Sequence, residues 1–427
     1  MWADVAFRSS AKSNSRKTMH LFEKGAPSMK NRYLMFFVMY FCAATLALSQ
    51  FKIVPILGPI TENLGIAYEQ ISWLMSVFTV ASIVLAIPAG GLIAKYGPKK
   101  VWTIVMVIMV CGNVIGAVGV DNYAVLLVSR ILEGCAFAFV AIAGIVFVNM
   151  WFPNKNTGLF VGIFMTFISI GSIIALNCMI PITTAYGLAS AWWVTAIISA
   201  LMTVVFLSVV REAPMSASEG SEASKPSIAP ILKNKRVMMI CFLALSLGFV
   251  LYFFLNNYPS LFMTVYHVDA TGATLYSSLN NLFSIPFCIL GRFIVDRLGP
   301  KRTPVLMAAS AVCVIVACAF MTEMTPSLFV VHTLVIAAFP GLLYTACNYL
   351  VPRDVENPMQ ISYGIALMTL FYSVGIFIGC PIVLYAIAGT SSWAIGGYVL
   401  AAVMAIGLAF ILLYMAASKK LETTTQE

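Results

Sequence analysis

Charge is the scarcest property of this chain. Asp, Glu, Lys and Arg make up 10% of its 427 residues, while 61% are hydrophobic. A water-soluble domain carries about 25% charged and 45–50% apolar residues. The shortage excludes one or two soluble domains and points to a polytopic membrane protein. Other signatures are missing too. The ten cysteines form no C-x-x-C pair and no Cys/His metal spacing, so no disulfide framework, metal or cofactor is expected. They read as small buried hydrophobes. No H-E-x-x-H, no Gly-x-Gly-Asp pair and no Ser/His spacing marks an intramembrane enzyme. Residues 1–32 are basic and polar, without the apolar core and cleavage site of a signal peptide. They read as a disordered cytoplasmic tail, in which Met19 and Met29 offer alternative starts.

What the chain does have is repeated oil. Apolar windows of about 20 residues, enough to cross ~30 Å of hydrocarbon as a helix, recur along its length. Twelve spans are expected: 33–61, 70–94, 100–120, 123–151, 157–185 and 191–210, then 237–265, 272–295, 303–322, 326–351, 359–388 and 392–417. They are too long for barrel strands, so an all-α protein is expected. The cations orient it. Of the 25 Lys and Arg, only Lys52, Arg130 and Arg292 fall in the interior of spans, and all the others, with Lys100 at the very start of one, fall on one side if both termini are cytoplasmic. Glu62, Glu69, Asp121, Asp269 and Glu323 fall on the other. This asymmetry obeys the positive-inside rule, so the net charge of +9 reflects topology and anionic lipid and calls for no nucleic acid. A cell membrane, plasma or inner, is the expected location.

The polar stretch 211–236 divides the chain into a six-helix bundle at 33–210 and another at 237–417, followed by a short tail at 418–427. The halves match locally. "AKYGPKK" (Ala94 to Lys100) corresponds to "DRLGPKR" (Asp296 to Arg302) at an offset of 202 residues, each after the second span of its half. Two parallel six-helix repeats with a site between them are a transporter architecture. On these residues the chain resembles the major facilitator superfamily, from about Arg32 to Ser418. The resemblance rests on that family's loop Gly-x-x-x-Asp-Arg-x-Gly-x-Lys/Arg-Lys/Arg. Asp296, Arg297, Gly299, Lys301 and Arg302 match it, with Gly291 one residue early. Gly90, Lys95, Gly97, Lys99 and Lys100 match it in the first half, where Ala94 replaces the acid. The resemblance implies a conformational latch between the halves at these residues. Arg130 and Gly134, with Glu133 where Gln is usual, resemble a second family element. The Gly-Pro pattern of drug/proton antiporters is absent from the fifth span. Phe51-Lys52 in the first span is most similar to the branch of cyanate-type and other small-anion permeases.

A charge at mid-membrane costs about 2.5–3.5 kcal/mol on insertion scales and marks a functional site by default. Lys52, Arg130 and Glu133 lie well inside, with His332 as a further titratable group. At ~1.5 Å per residue, Arg130 lies roughly 12 Å and Glu133 roughly 16 Å below the outer boundary, and Lys52 up to about 15 Å. Pro55, Gly58 and Pro59 are expected to bend the first span. The repeat offset carries Arg130 onto His332, and Lys52 onto Phe254, beside Asn256 and Asn257. Polar groups thus recur on the first, fourth, seventh and tenth spans, which in the superfamily line the central cavity. Glu133 is three residues from Arg130 and can pair with it, which leaves Lys52 with no acidic partner in the membrane. A small anion, a carboxylate or similar, would supply the missing charge between Lys52 and Arg130, oriented by Asn256, Asn257 and aromatic side chains, with His332 as a further candidate contact. Plainer readings compete: Lys52 snorkels to the headgroups as an anchor, Arg130 with Glu133 is a structural pair, His332 is a satisfied polar residue between helices, and Asn256 with Asn257 satisfies backbone freed by a kink.

The expected protein is a monomeric secondary transporter of a small anion, not an enzyme, working by alternating access. Glu133 is the expected proton carrier in symport, because an anion competing for Arg130 would free it to take up a proton. Proton-coupled efflux of drugs or other hydrophobic compounds is the alternative on the same fold.

Overall fold

The computed structural model describes residues 29–152, 157–211, 229–355 and 361–424. The expected tail up to residue 28, linker residues 212–228, Lys155, residues 425–427 and the side chain of Arg292 lie outside that description. Among the described residues every regular element is a helix. In lipid this follows from the backbone, whose polar groups must be satisfied within the segment.

The first half runs α1 (Met29–Phe51), α2 (Leu57–Leu64), α3 (Tyr68–Ser76), α4 (Val80–Tyr96), α5 (Pro98–Val118), α6 (Tyr123–Trp151), α7 (Thr157–Met165), α8 (Phe167–Tyr186) and α9 (Ala189–Val209). Short 3-10 turns at Val54–Ile56 and Val77–Thr79 join α1 to α2 and α3 to α4. The second half runs α10 (Ala229–Lys233), α11 (Lys235–Tyr266), α12 (Ala270–Ala319), α13 (Phe329–Asp354), α14 (Ile361–Thr390) and α15 (Trp393–Thr424). The short α10 falls inside the stretch expected as linker, and α15 continues into the expected tail. Asn122 and Asn234 cap α6 and α11, each side-chain oxygen accepting from two backbone amides of the first turn.

Ten stretches of the described chain are long and apolar enough to cross a membrane. The other two expected spans are helical but differ in kind. The second is divided by the turn at 77–79, and its apolar part is the short Glu69–Leu85. The eighth is the first part of α12, where Ser277, Ser278, Asn280 and Asn281 lower the hydropathy.

The repeat reappears in backbone geometry. Gly97 (φ 83°, ψ 148°) and Gly299 (φ 72°, ψ 173°) occupy a region open to glycine and strained for other residues. Pro98 and Pro300 follow them, where the next helix begins and a missing N–H costs nothing. The 50-residue α12 is therefore two helices joined at Gly299.

Each half has its own packed interior. Trp102 stacks on Phe206 at 5.3 Å and Phe147 on Trp151 at 4.9 Å in the first. Phe254, Tyr258, Phe262 and Phe329 pack in the second. A third cluster joins the halves: Phe51, Ile53, Leu57 and Leu74 pack with Tyr252 of α11 and Ile376 of α14. Polar pairs tie α8 to α12 alongside it, Ser169 to Ser284 at 2.9 Å and Asn177 to Ser278 at 2.7 Å. The joint borders Lys52.

Candidate functional site

The site begins with a broken helix. Pro55 has no N–H to give to the carbonyl of Phe51, so α1 ends there and the chain passes through Lys52 into a 3-10 turn. The backbone N–H of Lys52 still closes on Leu48 at 2.9 Å. The break leaves the last carbonyls of α1 without helical partners. Arg130 of α6 takes them: Nη1 donates to the Ser49 carbonyl and Nη2 to the Gln50 carbonyl, each at 2.7 Å. Its Nε donates to the Leu74 carbonyl at 3.0 Å, in the last turn of α3 before the second break. One guanidinium thus closes two helix ends, and the Phe78 ring lies 4.6 Å below it. Gly134 makes this approach feasible, because a Cβ there would sit 1.9 Å from the carbonyl oxygen of Phe78.

Glu133 is the hub. Its Oε2 accepts from Arg130 Nη1 at 2.7 Å and from Ser49 Oγ at 2.9 Å. Its Oε1 accepts from Lys52 Nζ at 2.8 Å and from Ser129 Oγ at 2.9 Å. Lys52 also donates to Asn113 Oδ1, and its ammonium stands 5.0 Å from the Trp192 ring centroid. Asn113 is itself held by its amide, which donates to the Met109 carbonyl at 2.8 Å. Lys52 and Glu133 are 0% exposed and Arg130 1%.

This geometry corrects two expectations. Lys52 has an acidic partner after all, because one carboxylate offers an oxygen to each cation. Nor does Lys52 reach for the headgroups: it is enclosed. The sign of the cluster survives, with two cations around one anion. The ends of α1 and α3 offset the excess, since a helix C-terminus carries roughly half a negative charge.

In the second half, Asn256 and Asn257 of α11 are buried, and both amides turn to Cys380 Sγ of α14, at 3.6 and 3.5 Å. Cys380 Sγ in turn faces the Tyr252 carbonyl at 3.7 Å. His332 is engaged within its own half. Its Nε2 lies 3.0 Å from the Ala317 carbonyl, which can only accept, so Nε2 carries the proton. Its Nδ1 then accepts from Tyr258 Oη at 2.6 Å. The structure thus brings Lys52, Arg130 and Glu133 into one network and leaves His332 in another. A cavity of about 580 Å³ between α8 and α12, lined by Asn177, Thr184, Thr271 and Thr274, shares no residue with either.

The proposed latch residues lie at the two glycine turns. Lys100, Asp296, Arg297, Lys301 and Arg302 are exposed, and Lys99 reaches the Leu207 carbonyl of its own half at 3.3 Å.

Sequence reasoning missed Ser49, Asn113, Ser129, Trp192 and Tyr258. Ser129 sits four residues before Glu133, a helical spacing that could have found it. Asn113 and Trp192 come from distant spans, and no local signal points to them.

A multi-pass helical membrane protein with two repeated halves and a buried charge cluster beside their joint is a transporter by architecture. Residues 39–360 match the Major Facilitator Superfamily, and the chain belongs to that family. It is similar to the hexuronate transporter of Bacillus subtilis strain 168, 24% identical over 305 residues, 68% of each chain. It is similar to the probable sulfoacetate transporter of Cupriavidus necator, 23% identical over 376 residues, 82% of this chain and 85% of that one. The agnestins efflux protein of Paecilomyces divaricatus is 24% identical over 350 residues, 81% of this chain and 78% of that one. The chain is a transporter and not an enzyme.

Proposed function

We propose that this transporter carries a small anion, a carboxylate or a similar ion, together with a proton. The buried Lys52–Glu133–Arg130 cluster, positive by formal charge and beside the joint of the halves, carries the reading. The hexuronate and sulfoacetate named for two relatives are small anions and support it. With Glu133 ionised, the two helix ends balance the cluster. With Glu133 protonated, Lys52 and Arg130 lose their shared partner, and an anion entering beside Lys52 restores neutrality. Proton and anion then enter together, which is symport. Asn256 and Asn257 contact the anion from the second half, while His332 supports that wall through Tyr258. The remaining parts follow the sequence reading: a monomer with twelve spans, both termini cytoplasmic, in a plasma or inner membrane. Gly97, Lys99, Lys100, Asp296, Arg297, Gly299, Lys301 and Arg302 form the latch.

A second reading, efflux of hydrophobic compounds, is favoured by the agnestins relative and by the aromatic pair Trp73–Phe377, 5.8 Å apart across the halves. Thermal unfolding in detergent separates the two. A ligand at about 100 times its Kd stabilises by about 2.7 kcal/mol. An anion that raises the wild-type transition and not that of Lys52→Gln supports the anion reading. Hydrophobic compounds acting equally on both proteins, with no anion acting, support efflux.

A further inference from the structure

We infer that the second half selects a hydroxylated anion, a sugar acid or other polyhydroxy carboxylate, over anions that only accept hydrogen bonds. The inference rests on the anion reading above and concerns the uncharged part of the same substrate. It starts from two unfinished side chains. Among the described residues, Gln50 and Asn257 are the buried amides whose oxygen has no hydrogen-bond partner. Gln50 is 5% exposed and Asn257 0%.

The orientation of Asn257 is fixed. Its Nδ2 donates to the Phe253 carbonyl at 3.2 Å, and a carbonyl can only accept, so Oδ1 is the atom left over. The amide hydrogens of Asn256 and Asn257 converge on Cys380 Sγ at 3.6 and 3.5 Å. A thiol sulfur is a weak acceptor, so this wall offers good donors with a poor partner and a good acceptor with none. Gln50 belongs to α1 of the first half. The residue after it, Phe51, packs with Tyr252, which lies one turn before Asn256 on α11. On the other side of Gln50, Ser49 is bonded to Glu133, so Gln50 lies alongside the charge cluster.

These groups ask for hydroxyls. The oxygens of nitrate, a carboxylate or a sulfonate cannot donate, and beside Asn257 Oδ1 they would meet another acceptor. A hydroxyl donates to that oxygen and accepts from Asn256 in place of the thiol. A hydroxyl can likewise donate to the unpartnered Gln50 Oε1. Tyr252 and Asn257 stand about 7.5 Å apart along the helix axis, a length that a sugar-acid chain spans and nitrate does not.

The test is isothermal titration of the purified protein in detergent with D-galactonate, propionate and nitrate at equal ionic strength. D-Galactonate is expected to bind at least ~10-fold more tightly than either other anion, the discrimination of a site built around hydroxyls. Asn257→Leu is expected to narrow that ratio. Nitrate or propionate binding the wild type as tightly as D-galactonate would overturn the inference and leave the anion reading standing. Absence of binding by all three would overturn both. If Asn257→Leu does not fold, the wild-type ratio still decides.

Discussion

Lys52 and Glu133 come from different spans, yet their charged groups are 2.8 Å apart and neither is exposed. Arg130 holds the other oxygen of the same carboxylate at 2.7 Å. One acid therefore governs two cations.

Glu133→Gln removes the shared partner. Breaking a buried ion pair from one side costs about 3–5 kcal/mol, because an uncompensated charge stays behind. The thermal transition of the variant is expected to fall, and to recover in part when the transported anion is present. Anion accumulation driven by an acidic exterior is expected to disappear while anion exchange persists. Wild-type uptake should rise as the outside pH falls, because the protonated carboxyl is the form that admits the anion. Uptake by the variant should be flat with pH. Full pH-driven accumulation by Glu133→Gln would remove this residue from the coupling mechanism.

Arg130→Lys keeps the charge and loses the fork. A lysine ammonium cannot reach the Ser49, Gln50 and Leu74 carbonyls and Glu133 together. The carbonyls it leaves unpaired cost about 1–3 kcal/mol each. The expected outcome is a lower unfolding temperature and weaker protection of the α1 and α3 ends in hydrogen exchange. Wild-type protection there would contradict the capping role.

The sequence made a good part of this legible. Apolar runs, a lopsided distribution of Lys and Arg, and the Gly97/Gly299 correspondence gave the helical class and the repeat. Lys52, Arg130 and Glu133 stood out because charge in oil is rare. Partner choice was hidden. Pairing Glu133 with Arg130 alone followed helical spacing, but the carboxylate has a second oxygen, and the bend at Pro55 gives it to Lys52. Asn113 and Trp192 are unremarkable in their own spans and matter only once α5 and α9 pack around Lys52. His332 matched Arg130 by offset, yet Tyr258 and the Ala317 carbonyl occupy both its ring nitrogens, which no spacing reveals.

Tyr258→Phe deletes the hydroxyl that bridges His332 and Thr333. The Nδ1 acceptor of His332 is then buried without a donor, at a cost of about 1–3 kcal/mol. A drop in thermal stability with uptake retained is expected. Loss of saturable uptake in a stable protein would move His332 into the transport site itself.

Gly134→Val places side-chain atoms on the carbonyl of Phe78. The contact between α6 and the turn at 77–79 must open, and Arg130 then loses its reach to Leu74. The variant is expected to express poorly or to unfold at a lower temperature, read by fluorescence-detected size exclusion. Wild-type behaviour would contradict the close packing described for these two elements.

Anion uptake into proteoliposomes by the wild type, Lys52→Gln and Lys52→Arg, with an acidic exterior, tests the role of the buried lysine most directly. Saturable uptake is expected of the wild type, partial uptake of Lys52→Arg and none of Lys52→Gln, with all three proteins folded. Uptake by Lys52→Gln at the wild-type rate and KM would contradict that role and make the buried lysine a structural group.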